Sequence, residues 1–120
     1  MPRDEATLLD MAYAARLMQE FTHGMDKPTF LADRKTQSAV LHQIMVLGEA
    51  TKRLSAGLRA AHPQVPWSQI ARMRDRVIHH YDTVDLHRVW AVIETDIPAI
   101  LGLLEPLLPA EPGGSASQPE

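Results

Sequence analysis

Val40, Ile44, Leu47, Thr51, Leu54 and Leu58 recur at steps of 4, 3, 4, 3 and 4 residues. At 3.6 residues per turn such a set forms one continuous stripe along a helix, whereas the period of two in a strand would scatter it over both faces. A stripe of that length is stable in water only when covered, and other helices are the natural cover. Asp33 is a fitting N-cap for this helix and His62-Pro63 a fitting end, so the spacing predicts one helix from Asp33 to about Ala61.

The remainder of the chain reads the same way. Leu8, Met11, Ala12, Ala15, Met18 and Phe21 give a first helix over about Asp4 to Thr22, closed by His23-Gly24, with Gly24 suited to the positive φ of a helix end. A connector follows from Met25 to Ala32, with one short turn at Thr29–Leu31. A third long segment is expected over Trp67 to His80. A polar hinge, Asp82 to Asp85, leads to a last helix reaching Pro106, with Leu86, Val89, Trp90, Ile93, Ile97, Ile100, Leu101 and Leu104 on its covered face. Pro98 lies within that helix and should remove one backbone bond and bend it. The expected fold class is therefore all-α: an up-and-down bundle of four to five helices over residues 1–109. Residues 110–120, AEPGGSASQPE, have nothing apolar to bury and are expected to form a disordered tail.

Composition limits the chemistry. There is no cysteine among the 120 residues, which removes disulfides, thiolate metal sites and a cysteine nucleophile. The amino-terminal stretch lacks the apolar run of a signal peptide, and the longest apolar segment, Ile97 to Leu104, is too short to cross a bilayer. A cytoplasmic protein with no membrane association is the expectation. A net charge of −3 gives no global attraction for nucleic acid. Between Arg72 and Tyr81, however, three arginines and two histidines stand against one aspartate, so a local positive patch is possible.

That segment, RMRDRVIHHY, carries the candidate chemistry. At about 100° per residue, Ile70, Arg74, Val77, Ile78 and Tyr81 fall on one side of a helix, and Arg72, Asp75, Arg76 and His79 on the other. Arg74 is the polar exception on an apolar face and calls for a carboxylate, a phosphate or a partly wet cleft, with Glu49 and Asp85 as candidate partners. His79 lies about 140° from Arg74, so the two converge most readily if those of two subunits meet across a two-fold axis. Arginine suits a phosphate or the charge that builds up in phosphoryl transfer, and histidine is the usual general acid or base near neutral pH. An RNA 2′-hydroxyl already sits beside its phosphorus, so this pair needs no metal to cleave RNA. The competing expectation is structural: a histidine complementing a helix C-terminus, a solvated arginine face and Tyr81 at the edge of the core. His79, His80, Asp82 and His87 match no familiar metal-ligand spacing.

The series RMRDRVIHHYDTVDLHRVW, together with FLADRKTQSAV (30–40), LGEATKRLS (47–55) and PWSQIARMR (66–74), resembles the HepT-like branch of the HEPN superfamily over about residues 5–105. The matching signature is Arg-x4-His-x-Tyr, here Arg74, His79 and Tyr81, followed by Val84-Asp85 and Val89-Trp90. The resemblance implies a HEPN-like homodimer with this motif near its interface. It also implies a metal-independent ribonuclease that needs no cofactor and acts as the toxin of a toxin–antitoxin pair. The partner would be a cognate MntA-like nucleotidyltransferase antitoxin that can attach AMP to the motif tyrosine. Carried onto this chain, Arg74 would bind the scissile phosphate, His79 would act as general acid/base and Tyr81 would be the modified residue. Arg72, Asp75, Arg76 and His80 would support the site or contact RNA. Asp75 stands where the family often has asparagine, and its carboxylate would repel an incoming phosphate. The alternative is a non-catalytic helical partner or regulatory subunit of the nucleotidyltransferase.

Overall fold

Local signals start and stop most of the helices where the residues allow. The computed structural model of the chain describes residues 2–109, so the expected tail at 110–120 lies outside the described residues. Helix α1 spans Pro2–Phe21, and Gly24 follows it with φ of 79°, as a helix end of this kind requires. Asp26 caps the short α2 (Lys27–Leu31) through the Thr29 N–H, and Asp33 caps α3 (Arg34–Arg53) through the Thr36 N–H. Then come α4 (Ala56–Ala61), α5 (Trp67–His79), a 3-10 turn at Tyr81–Thr83, α6 (Leu86–Ala91) and α7 (Ile97–Leu104). Among the described residues there is no strand, and the all-helical expectation holds.

α3 is the central helix, lined on one side by α1 and on the other by α5. α7 packs against α1, and α2 bridges α3 and α6. The molecule measures 40 × 38 × 19 Å. Its thin dimension is about two helix diameters, so each of the long helices keeps an exposed face. The stripe behaves as its spacing predicts: Val40, Ile44, Leu47, Thr51 and Leu54 are all buried. They meet Leu8, Met11 and Met18 from α1, Ile70 and Val77 from α5, and Ile97 and Leu104 from α7 in one contiguous core. Each fully buried aliphatic side chain contributes about 1.5–3 kcal/mol relative to an exposed one. Phe30 of α2 stacks at 5.4 Å on Trp90 of α6, which holds the short connector to the last helical segment.

Two elements depart from the sequence reading. The helix expected to run to Ala61 stops at Arg53, with Leu54 and Ser55 in extended conformation. Asp4, buried and 51 residues away along the chain, causes the break. One of its oxygens accepts the Ser55 backbone N–H at 3.0 Å and the other accepts the Ser55 hydroxyl at 2.7 Å. The same hydroxyl accepts the Leu58 N–H and so caps α4. Leu58 therefore ends the stripe from a separate helix and is half-buried. Pro98 does disturb the last helix, but through a change of register: Val92–Asp96 forms a π segment in which the Ile97 N–H donates to the Val92 carbonyl, five residues back. The wider turn precedes the proline and accommodates its ring and missing donor without ending the rod.

The two donors from Ser55, its hydroxyl first, hold the Asp4 carboxyl below the usual carboxylate range. A depressed folded pKa adds stability above the ordinary value of about 3.9, and that stability is lost as the pH falls through the lowered one. Asp4→Asn is therefore expected to melt below the parent at pH 7, with the gap closing as the pH falls below the carboxylate range; thermal midpoints across about pH 2–7 check it.

Candidate functional site

The site begins at the crossing of α3 and α5, where Gly48 faces Arg74. A Cβ on Gly48 would overlap the Arg74 Cβ and stand 3.3 Å from its Cα. The glycine lets the two backbones approach closely, and this lays the root of the arginine side chain across α3. From there the guanidinium reaches two carboxylates: one Nη forms an ion pair with Glu49 Oε1 at 3.0 Å and the other donates to Asp75 Oδ1 at 3.1 Å. Glu49, one of the two candidate partners, is thus found; the other, Asp85, instead caps α6 by accepting the His87 N–H. Arg74 keeps 27% of its side chain exposed, so its charge sits in a partly wet cleft. Its Nε is buried with no hydrogen-bond partner among the described residues.

Asp75 is the hub of this charge network. Besides Arg74 it accepts the Lys52 ammonium at 2.7 Å. Those hydrogen bonds, that from Lys52 first, hold its carboxyl below the usual carboxylate range. Its negative charge is met by two cations, and at the cleft the pair Lys52 and Arg74 faces the pair Glu49 and Asp75.

His79 occupies the last turn of α5, exposed, with Nδ1 at 3.1 Å from the Asp75 backbone carbonyl. A carbonyl only accepts, so this contact places the proton of the neutral ring on Nδ1 and leaves Nε2 as an unshared base facing solvent. No hydrogen bond joins His79 to Arg74, and within the single chain they point to different sides of the helix, as the wheel indicates. Tyr81 opens the 3-10 turn and is 51% exposed, and Ile78 is 41% exposed. The wheel puts both on the covered face. The correction has a geometric cause: the neighbouring helices cover α5 along Trp67, Ile70, Met73 and Val77, about one position round from the expected line. Ile78 and Tyr81 instead border an open hollow with His42 and Met45 of α3. Arg72, Arg76 and His80 are exposed on the solvent side of α5. Among the described residues no three histidine, aspartate or glutamate side chains are grouped to hold a metal ion, and no helix is long and apolar enough to cross a membrane.

Gly48 and Lys52 escaped the sequence reading. Gly48 had a readable signal, since a glycine inside a strongly helical window is unfavourable by about 1 kcal/mol relative to alanine and points to a close approach. Lys52 carried none.

The family model described as Ribonuclease HepT-like matches residues 11–107. A protein of Thermococcus cleftensis named "Probable ribonuclease HepT" is 41% identical over 100 residues, covering 83% of this chain and 91% of that protein. "Putative RNase MJ0127" of Methanocaldococcus jannaschii is 34% identical over 110 residues, covering 90% and 91%. No solved structure matches significantly.

Gly48→Ala tests the crossing. The added methyl meets a backbone-proximal part of Arg74 that cannot swing away, so the helices must separate. The expected destabilisation is about 1–3 kcal/mol, the range for overpacked interiors, measured by urea unfolding. Gly57→Ala, where a Cβ meets nothing within 4 Å, is the control and should not destabilise.

Proposed function

The chain belongs to the HepT-like ribonuclease family, and on that premise we propose that it is a metal-independent endoribonuclease, the toxin of a toxin–antitoxin pair, working as a homodimer. The observation that carries the reading is the state of His79: pinned through Nδ1 to a main-chain carbonyl, it presents Nε2 to solvent as a base, on the same helix as a half-sheltered guanidinium. In the dimer, Arg74 of one protomer and His79 of the partner subunit come together across the two-fold axis. The exposed Ile78 and Tyr81, with the half-buried Met45 beside them, supply apolar surface for that contact.

In the reaction, His79 Nε2 takes the proton of the RNA 2′-hydroxyl and the 2′-oxygen attacks the adjacent phosphorus. The phosphorus–5′-oxygen bond breaks, and the leaving oxygen takes a proton from an imidazolium or water. The products are a 2′,3′-cyclic phosphate and a 5′-hydroxyl. Arg74 neutralises the charge that gathers on the phosphoryl oxygens. To do so it exchanges Glu49 or Asp75 for the phosphate. That exchange is feasible because exposed ion pairs contribute only about 0–1 kcal/mol and the guanidinium has donors to share. Arg72, Arg76 and His80 lie where the strand would run over the solvent side of α5.

Tyr81 is the proposed target of the antitoxin, a nucleotidyltransferase. Its exposed hydroxyl attacks the α-phosphorus of ATP, pyrophosphate leaves, and the tyrosine retains AMP. The added phosphodiester places a negative charge and a nucleoside beside the cleft and obstructs RNA. A second reading is favoured by one observation, that Arg74 is held by two carboxylates in the free chain: the protein then only docks and regulates the transferase.

Purified protein with single-stranded RNA in EDTA decides between them. The parent is expected to cut and leave cyclic phosphate ends, and His79→Ala to lose about 10²–10⁴-fold, the range of general acid–base catalysis. Asp75→Asn should cut faster than the parent by freeing Arg74. Equal rates for parent and His79→Ala would sink the catalytic assignment. Mass spectrometry after co-expression with a nucleotidyltransferase of the proposed antitoxin class should find one adenylyl group on the parent and none on Tyr81→Phe.

A further inference from the structure

A second cleft lies between α5 and α6, on the side of α5 away from Ile78. It has a volume of about 190 Å³ and is floored by Met73, Val77 and Val89, all buried. Arg76 and Arg88 stand on its rim, both exposed and neither ion-paired with a described residue, which sets them apart from Arg74, Arg16 and Arg53. Asp85 completes the lining; one of its oxygens caps α6 and the other is uncommitted.

From this we infer that the α5–α6 cleft is a nucleobase subsite, one that accepts a base of the RNA strand flanking the cleavage point and holds the neighbouring phosphate between Arg76 and Arg88. The inference rests on the ribonuclease reading and specifies how that site grips its substrate. The volume falls below the range of about 300–1,000 Å³ of pockets for drug-sized ligands, so it suits a single ring system. Its chemistry matches a nucleotide at both ends: an apolar floor for the ring face, and two guanidinium groups, neither ion-paired with a described residue, for the phosphate. The free Asp85 oxygen can only accept, so it favours a base with an exocyclic amino group, which offers two N–H donors at the ring edge, over uracil, whose one donor is the ring N3–H. His79 and Arg76 share the solvent face of α5, separated by about 60° of rotation, so a strand with its phosphate at His79 passes Arg76 on its way to the cleft.

The test uses the full chain and a fluorescein-labelled 2′-O-methyl oligoadenylate, which lacks the attacking hydroxyl and cannot be cut. The double variant Arg76→Ala/Arg88→Ala is expected to bind at least about tenfold more weakly. Its slope of log K against log salt should be shallower by about 0.7 for each phosphate that the arginines no longer neutralise. Val84→Phe, at the half-buried edge of the cleft, narrows the cleft without removing charge. It should weaken binding while leaving the salt slope unchanged, and oligoadenylate should lose its advantage over oligouridylate. In cleavage of ordinary RNA both variants should raise KM and spare kcat. Unaltered affinity and KM in the arginine variant, a surface change that leaves the core intact, overturns the subsite even if the parent cuts RNA. An altered oligomeric mass with unaltered oligonucleotide affinity assigns the cleft to a protein contact and overturns it too. A parent that binds the oligonucleotide through the cleft but cuts no RNA upholds the subsite and overturns only the ribonuclease reading. A parent that neither binds nor cuts overturns both.

Discussion

The close crossing of α3 and α5 at Gly48 and Arg74 is the constraint on which the site depends. Helices usually keep about 8–10 Å between axes, with side chains interleaved between them. Here one helix contributes no side chain at the contact and the other contributes the stem of an arginine. That arrangement brings a guanidinium to the edge of the core at a place where α3 also offers Glu49 and Lys52. A larger residue at position 48 would separate the helices, and the four charged groups would no longer share one cleft.

The charge network follows from that placement. A guanidinium at the core edge is unfavourable unless paired, and Glu49 and Asp75 supply the pairing while Lys52 balances Asp75. Two cations and two carboxylates leave the cleft near neutrality, so an incoming phosphate meets an exchange of partners instead of an empty positive hole. The half-exposed position of these groups keeps the exchange inexpensive, because water screens each pair. The Nδ1 of His79 is bonded to the main chain of the residue whose side chain engages Arg74 and Lys52. Any shift of Asp75 is therefore felt by both the guanidinium and the imidazole.

The thinness of the molecule has a related consequence. α5 is covered along the line of Trp67, Ile70, Met73 and Val77 and so retains two flanking surfaces. One carries Ile78 and Tyr81 beside the hollow with His42 and Met45, and the other opens into the arginine-rimmed cleft with α6. Arg74 and His79 lie between these surfaces on one short helix, and on the proposed reading a strand of nucleic acid crossing that helix would meet both cations and the recess.

Periodicity was enough to locate the long helices α1, α3 and α5, the buried stripe from Val40 to Leu54, the caps at Asp33 and Gly24 and the apolar face of the last segment. These depend on spacings within a few turns, where backbone geometry leaves little choice. The motif residues Arg74, His79 and Tyr81 were legible as residues with chemistry to offer, and Glu49 as one of two partners. Tertiary structure alone decided the rest. Asp4 splits the central helix at Ser55 from 51 residues away. Ile78 and Tyr81 are bare because neighbouring helices cover a slightly different line of α5, and Asp75 turns to Lys52 through a contact across two helices. Local sequence encodes which face of a helix is apolar, but the neighbours that cover that face, and the charges they bring with them, are set by packing between segments far apart in the chain.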